Sequence, residues 1–309
     1  MAGPPNPRRL TIALVFVLLG LSVWWFLSPD PPPVPDESAS LIDRLRPLHT
    51  PMLPPRPGDW LSQHEEDGQT FAEYIASGPI RATAERHVLY VQPVGDFTVE
   101  QRRIVDATAD FLGRYFGLPV VVQPDLPSSV IPEHARRVHP SWGMSQILST
   151  YVLHEVLAPR LPEDAIASLA LTATDLWPGD GWNFVFGQAS LRRRVGVWSM
   201  ARNGDPSAGE DAYRLCLLRT LKTASHETGH MLSIRHCTAY ECNMCGSNHQ
   251  EESDRRPIAL CPECVSKVCW SCDAKPAARF QRLIEFCDRE GLAKESAFYR
   301  RSLAAVEVE

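Results

Sequence analysis

HETGHMLSIRHC, His226–Cys237, is the stretch whose reading decides the fold. It closes a run from Asp211 to Ile234 in which Leu215, Leu218, Leu221 and Leu232 are spaced as the buried stripe of one long helix. Within that run His226, Glu227 and His230 form an HExxH. Residues four apart share a helix face, so both imidazoles can reach one metal ion while Glu227 points beside it. His154-Glu155 supplies the contrast: its i+4 partner is Ala158, and the pair reads as ordinary surface. His236 follows His230 by six residues. Six helical steps rotate a side chain by about 240°, so in a continuous helix His236 would face away from the metal. For it to be a ligand, the helix must end near position 233 and the chain must turn back.

Eight of the nine cysteines lie between Cys237 and Cys287. Only Cys216 lies outside, within the helix stripe, where it reads as a buried core thiol. Crowded Cys-x-x-Cys spacing points to metal rather than to a disulfide framework spread over a domain. A ribbon-like four-thiolate site could be drawn from Cys242-x2-Cys245 with Cys261-x2-Cys264, and Cys269-x2-Cys272 is a spare pair.

HETGHMLSIRHC, the overlapping CTAYECNM (Cys237–Met244) and CPEC (Cys261–Cys264) together resemble the archaemetzincins, whose signature joins HExxHxxGxxHC, a C-x4-C-x-M segment and a downstream CxxC. The resemblance extends back through HVLYVQPVGDF, ATDLWPGDGWNFVFGQASL and VGVWSM, over most of residues 85–290. It implies a zinc metallopeptidase with two Zn2+ per chain, one catalytic and one structural. By that pattern His226, His230 and His236 hold the catalytic zinc and Glu227 is the general base toward a zinc-activated water. Cys237, Cys242, Cys261 and Cys264 hold the structural zinc, and Met244 takes the place of the methionine beneath the metal. The pattern's glycine is replaced by Ser233. A left-handed backbone there would cost about 1 kcal/mol, against about 10 kcal/mol or more from a structural zinc. Cys237 adjoins His236, so the cysteine clamp is expected to hold the turn.

The remaining sequence reads as an α/β domain, a mixed twisted sheet with packed helices; the resemblance makes it zincin-like, with an HExxH active-site helix and a four-cysteine zinc subsite. Strands are expected at His87–Gly95, Pro119–Gln123, Ala167–Trp177, within WNFVFGQ and at Val195–Met200, with helices at Val99–Phe116 and Met144–Leu157. Phe184, Val185, Phe186 and Gly187 are a candidate substrate groove, because a strand edge near the metal helix can pair with an extended peptide. Arg192-Arg193-Arg194 reads as a solvated bend.

At the N-terminus Leu10–Leu27 carries no charge, within the range of about 17–25 residues that crosses a bilayer as a helix. Trp24 and Trp25 sit at its far end, and Arg8 and Arg9 precede it. The expected plan is therefore a cytosolic stub (1–9), a transmembrane signal anchor (10–27), a Pro-rich linker (28–57) holding ten of the 27 prolines, and a catalytic domain (58–309) placed lumenally or extracellularly. Secretion after cleavage is the alternative placement, and a non-catalytic, membrane-tethered zinc-binding interaction domain the alternative function. With 44% hydrophobic residues the chain is not disordered, and a net charge of −6 argues against a nucleic-acid partner. The expected partners are a peptide or protein substrate and a membrane, with the chain a monomer.

Overall fold

The computed structural model describes residues 33–307. Its first element is a helix, α1 (Asp36–Leu45), inside the stretch expected to be an extended linker. No proline falls between Pro35 and Pro47, Asp36 and Glu37 complement the helix dipole in the first turn, and Leu41, Ile42 and Leu45 are buried in the main core. Burying each such side chain contributes about 1.5–3 kcal/mol. That is enough to draw the segment onto the domain, and the spacer reading is corrected for residues 36–45.

Two short helices follow, α2 (Trp60–Gln63) and α3 (Phe71–Ala76), the second opened by a capping box between Thr70 and Glu73. Strand β1 (Val88–Val94) leads into α4 (Val99–Phe116), which matches the sequence expectation at both ends. The Thr98–Gln101 capping box starts α4, and Gly117, at φ +71°, ends it. β2 (Val120–Val122) and β3 (Arg136–Val138) come next. The expected helix from Met144 begins instead as a strand, β4 (Ser145–Leu148), and turns helical only at α5 (Ser149–Tyr151), which runs on as a π-helix over Val152–Leu157. The expected strand at 167–177 is two, β5 (Ala165–Thr172) and β6 (Asp175–Trp177). Then come β7 (Gly187–Ala189), β8 (Val195–Ser199), α6 (Glu210–Met231), α7 (Gln250–Arg255), α8 (Pro262–Cys272), α9 (Pro276–Arg289) and α10 (Ala293–Glu307).

Five strands form one sheet in the order β2-β1-β5-β8-β7, all parallel except the edge strand β7, which runs antiparallel to β8. β3, β4 and β6 form a smaller sheet. Both faces of the large sheet are covered. Along β5, Leu169 and Leu171 join the main core while Ala170 joins a second cluster with Val94, Val152 and Val197. This is the alternation a pleated strand imposes. α6 packs on the sheet through Leu217, Leu221 and Ala224, whereas Leu215, expected in its buried stripe, is exposed. Cys216 is fully buried, as expected.

The single-pass membrane placement is corrected. Among the described residues no helix is long and apolar enough to cross a membrane. The longest, α6, carries Glu210, Asp211, Arg214, Arg219, Lys222 and Glu227. The segment Leu10–Leu27, on which that placement rested, lies outside the described residues, as does the stub before it.

Candidate active site

α6 delivers His226 and His230 one turn apart on its final turns, and the chain then reverses as the third histidine requires. Ile234 N–H donates to Gly229 O (3.0 Å) and Ser233 N–H to His230 O (2.8 Å), the paired bonds of a Schellman turn. Ser233 takes the left-handed position at φ +69°. Its hydroxyl donates to Leu191 O and accepts from Ile80 N–H, each at 3.2 Å. His236 emerges from this turn facing the other two histidines. The three rings offer nitrogens within 4.8 Å of one another.

The hydrogen bonds at the far side of each ring decide what faces inward. His226 Nδ1 lies 2.7 Å from Asn243 O and His230 Nδ1 2.7 Å from Ile234 O. A carbonyl only accepts, so both Nδ1 atoms carry the proton and both Nε2 atoms present lone pairs. Those two Nε2 atoms stand 2.9 Å apart. Two lone pairs at that distance repel unless a cation lies between them, so the donor set fits a metal ion. Burial pushes His226 down to about 4 and His230 well below its ordinary value, keeping both rings neutral as ligands require. His236 turns its Nδ1 to Glu66, 2.9 and 3.0 Å from the two carboxylate oxygens. Burial pushes the Glu66 carboxyl up, but the groups around it, His236 foremost with Trp60 and His64, together outweigh that and leave it below the ordinary value.

Glu227 is buried beside these rings, and burial pushes its carboxyl up to about 8. Its carboxylate packs on the backbone of β7: a Cβ on Gly187 would come within 2.7 Å of Glu227 Oε1. Only glycine admits so close an approach. On the other side of α6, a Cβ on Gly229 would meet Met244 Sδ at 2.6 Å, so glycine lets the buried Met244 pack against the helix between the two histidines. A cleft of about 630 Å³ opens over this centre. Phe184, Val185, Phe186 and Gly187 line one wall, Trp60 and Asn248 another.

Next to His236 the chain enters the cysteine cluster. The sulfurs of Cys237, Cys242, Cys261 and Cys264 lie within 4.8 Å of one another, all buried. Cys245 stands outside that group, its thiol donating to Tyr240 O at 3.3 Å. Hydrogen bonds from the neighbouring thiols, Cys242 first, draw Cys237 down, while burial pushes Cys242 and Cys261 up. Four thiols that compete for one negative charge suit a divalent cation able to ionise them together. All nine cysteines are free and buried, including Cys269, Cys272 and Cys287.

Sequence reading missed Glu66, Trp60 and Asn243. Asn243 sits between Cys242 and Met244, and its role follows from its backbone carbonyl, which no motif records. Glu66 and Trp60 come from a segment some 170 residues away from His236. The polar run before the Thr70 capping box was the only trace of it.

An HExxH helix lying under a mixed sheet whose antiparallel edge strand borders the glutamate, with a third histidine beyond a tight turn, defines the class of zinc metallopeptidases. The model of Peptidase family M54 matches residues 159–269. Archaemetzincin-2 of Rattus norvegicus is 34% identical over 271 residues, covering 77% of this chain and 75% of that protein. Archaemetzincin-1 of Homo sapiens is 28% identical over 262 residues, covering 73% of this chain and 51% of that protein. The crystal structure of archaemetzincin from Methanopyrus kandleri superposes with a TM-score of 0.50 at 28% identity, over 62% of this chain and 98% of that one. The chain belongs to the archaemetzincin family, and is a zinc-dependent hydrolase of peptide bonds. These matches give no support to the membrane-tethered, non-catalytic alternative, nor to a lumenal or extracellular catalytic domain on an anchor.

Proposed function

We propose that this cleft hydrolyses peptide bonds with Glu227 as general base, that His226, His230 and His236 hold the catalytic zinc, and that Cys237, Cys242, Cys261 and Cys264 hold a second, structural zinc. The observation that carries the reading is the pair of inward Nε2 lone pairs, 2.9 Å apart, with Glu227 against the neighbouring edge strand. Bound zinc supplies a Lewis acid that acidifies water and polarises a carbonyl. The chain's own residues do the rest. An extended peptide adds to the outer edge of β7, with Phe184 and Phe186 flanking it. Glu227 accepts the proton of the attacking water and returns it to the leaving amide nitrogen. To accept it the carboxylate must be ionised. Burial alone holds its proton up to about 8, and a cation beside it lowers that value. The base and the three-histidine set therefore depend on one another.

The test is Glu227→Gln, which keeps the shape and removes the base. Peptide turnover is expected to fall by about 10²–10⁴-fold, with zinc content per chain unchanged. Turnover at the parent rate in this variant excludes Glu227 as the base.

A further inference from the structure

The third histidine differs from the other two in what orients it. His226 and His230 are fixed by α6 and by neutral backbone carbonyls. His236 lies beyond the helix, and its Nδ1 is held by both oxygens of a carboxylate from a distant segment. That segment, residues 58–71, borders the cleft through Gly58, Trp60 and Gln63 as a strap fastened at both ends. At its start, Trp60 N–H donates to both oxygens of the fully buried Glu252, each at 3.0 Å. Beside it, buried Asp59 accepts from Arg255 at 2.6 Å. At its end, Gln69 Oε1 accepts from Arg235 N–H at 3.2 Å and Phe71 N–H donates to Glu263 at 2.6 Å. Between these fastenings, Trp60 places its ring edge-on to His236 with centroids 5.2 Å apart, and Glu66 reaches Nδ1.

We propose that Glu66 is the positioning residue of the third histidine: its carboxylate fixes the His236 tautomer with the proton on Nδ1, aims Nε2 at the other two rings, and so strengthens that nitrogen as a metal donor. The proposal rests on the three-histidine reading above. The chemistry favours it over an incidental ion pair. Glu66 offers both oxygens to a single nitrogen, and side-chain exposure at the contact is only 19% for His236 and 28% for Glu66. A carboxylate on the far nitrogen of a ligating imidazole polarises the ring, and losing such a partner weakens metal binding by about 10–100-fold. The strap thus makes the N-terminal segment, which lies outside the matched residues 159–269, part of the catalytic centre.

The test is Zn2+ competition against a chromophoric chelator on the full chain, comparing the parent with His236→Ala, Glu66→Ala and Glu66→Gln. Thermal melting and the zinc retained by the cysteine cluster are followed in parallel. Glu66→Ala is expected to weaken zinc at the histidine site about 10–100-fold, with melting and cysteine-bound zinc unchanged. Glu66→Gln falls between Glu66→Ala and the parent, because its amide oxygen still accepts the Nδ1 hydrogen but carries no charge. Saturating zinc restores much of the turnover of Glu66→Ala, which a misfolded cleft would not allow. If His236→Ala binds zinc as the parent does, the three-histidine reading fails and the Glu66 role falls with it. If His236→Ala weakens binding and Glu66→Ala leaves it unchanged, the Glu66 role alone is overturned.

Discussion

Ser233 occupies the turn that makes the third histidine usable, at a backbone angle suited to glycine. The left-handed conformation costs a side-chain-bearing residue about 1–2 kcal/mol. Against that stand two hydrogen bonds that only a hydroxyl makes here, from Ile80 N–H and to Leu191 O. Each contributes about 0.5–1.5 kcal/mol. The two effects are of equal size, so serine is tolerated where the family pattern has glycine. They separate on substitution. Ser233→Gly loses the bonds and the strain together, and its stability should stay within about 1 kcal/mol of the parent. Ser233→Ala keeps the strain and loses the bonds, and should destabilise by about 1–3 kcal/mol in urea titration. A Ser233→Ala variant as stable as the parent would show that the hydroxyl contributes nothing.

Among the elements, what was legible depended on how local the cause is. α4 could be read from Thr98 to Gly117 because its cap, apolar spacing and stop all lie within it. β4 could not. Its apolar residues continue the helical spacing of the turn behind it, and pairing with the neighbouring β3 and with β6, which lies beyond the helical turns that follow and beyond β5, decides the matter. The strap is harder still, since neither Trp60 nor Glu66 belongs to a periodic pattern. The same N-terminal segment docks a second time, through His49, whose ring packs edge-on against Phe298 of α10 at 5.2 Å and against Tyr240 at 6.4 Å. Burial there pushes His49 down from 6.5 to about 4. The unfolded chain takes up this proton as pH falls through 6.5, and the folded chain resists until about 4. The unfolded state therefore binds more protons across that window, so docking stability is full above 6.5 and is lost as pH falls toward 4. With allowance for the ring's partial exposure, the loss is on the order of 2 kcal/mol. His49→Phe should lack this component, so the stability difference between variant and parent should grow in the variant's favour from pH 7 to pH 4. A pH-independent difference in denaturant titrations would show that the ring titrates normally.

For the whole molecule, the two candidate metal sites are unequal partners. The cysteine sulfurs sit inside the main core, in one cluster with residues of α1, α4, α6 and α9, whereas the three histidines are only partly buried at the cleft. Cys237 directly follows His236, and its N–H donates to Met244 O at 2.8 Å. The cysteine cluster therefore holds the third histidine, the Met244 turn and the start of α8 at one point. The dependence should run mainly one way, because α6 is held in the main core by its own buried side chains, Leu217, Leu221 and Ala224. His226→Ala should lose one zinc per chain and keep the other, with a melting temperature within a few degrees of the parent, as expected when a partly buried polar side chain is truncated. On the proposed assignment Cys261→Ser removes a ligand from a structural zinc, and such a site typically contributes about 10 kcal/mol or more to folding. It should release the structural zinc, lower the melting temperature by far more than His226→Ala does, and weaken zinc at the intact histidines by loosening His236. Zinc per chain and thermal unfolding, measured on the same preparations, give both comparisons. If Cys261→Ser binds histidine-site zinc as tightly as the parent, the two sites are independent, and the turn at Ser233 holds His236 without the clamp.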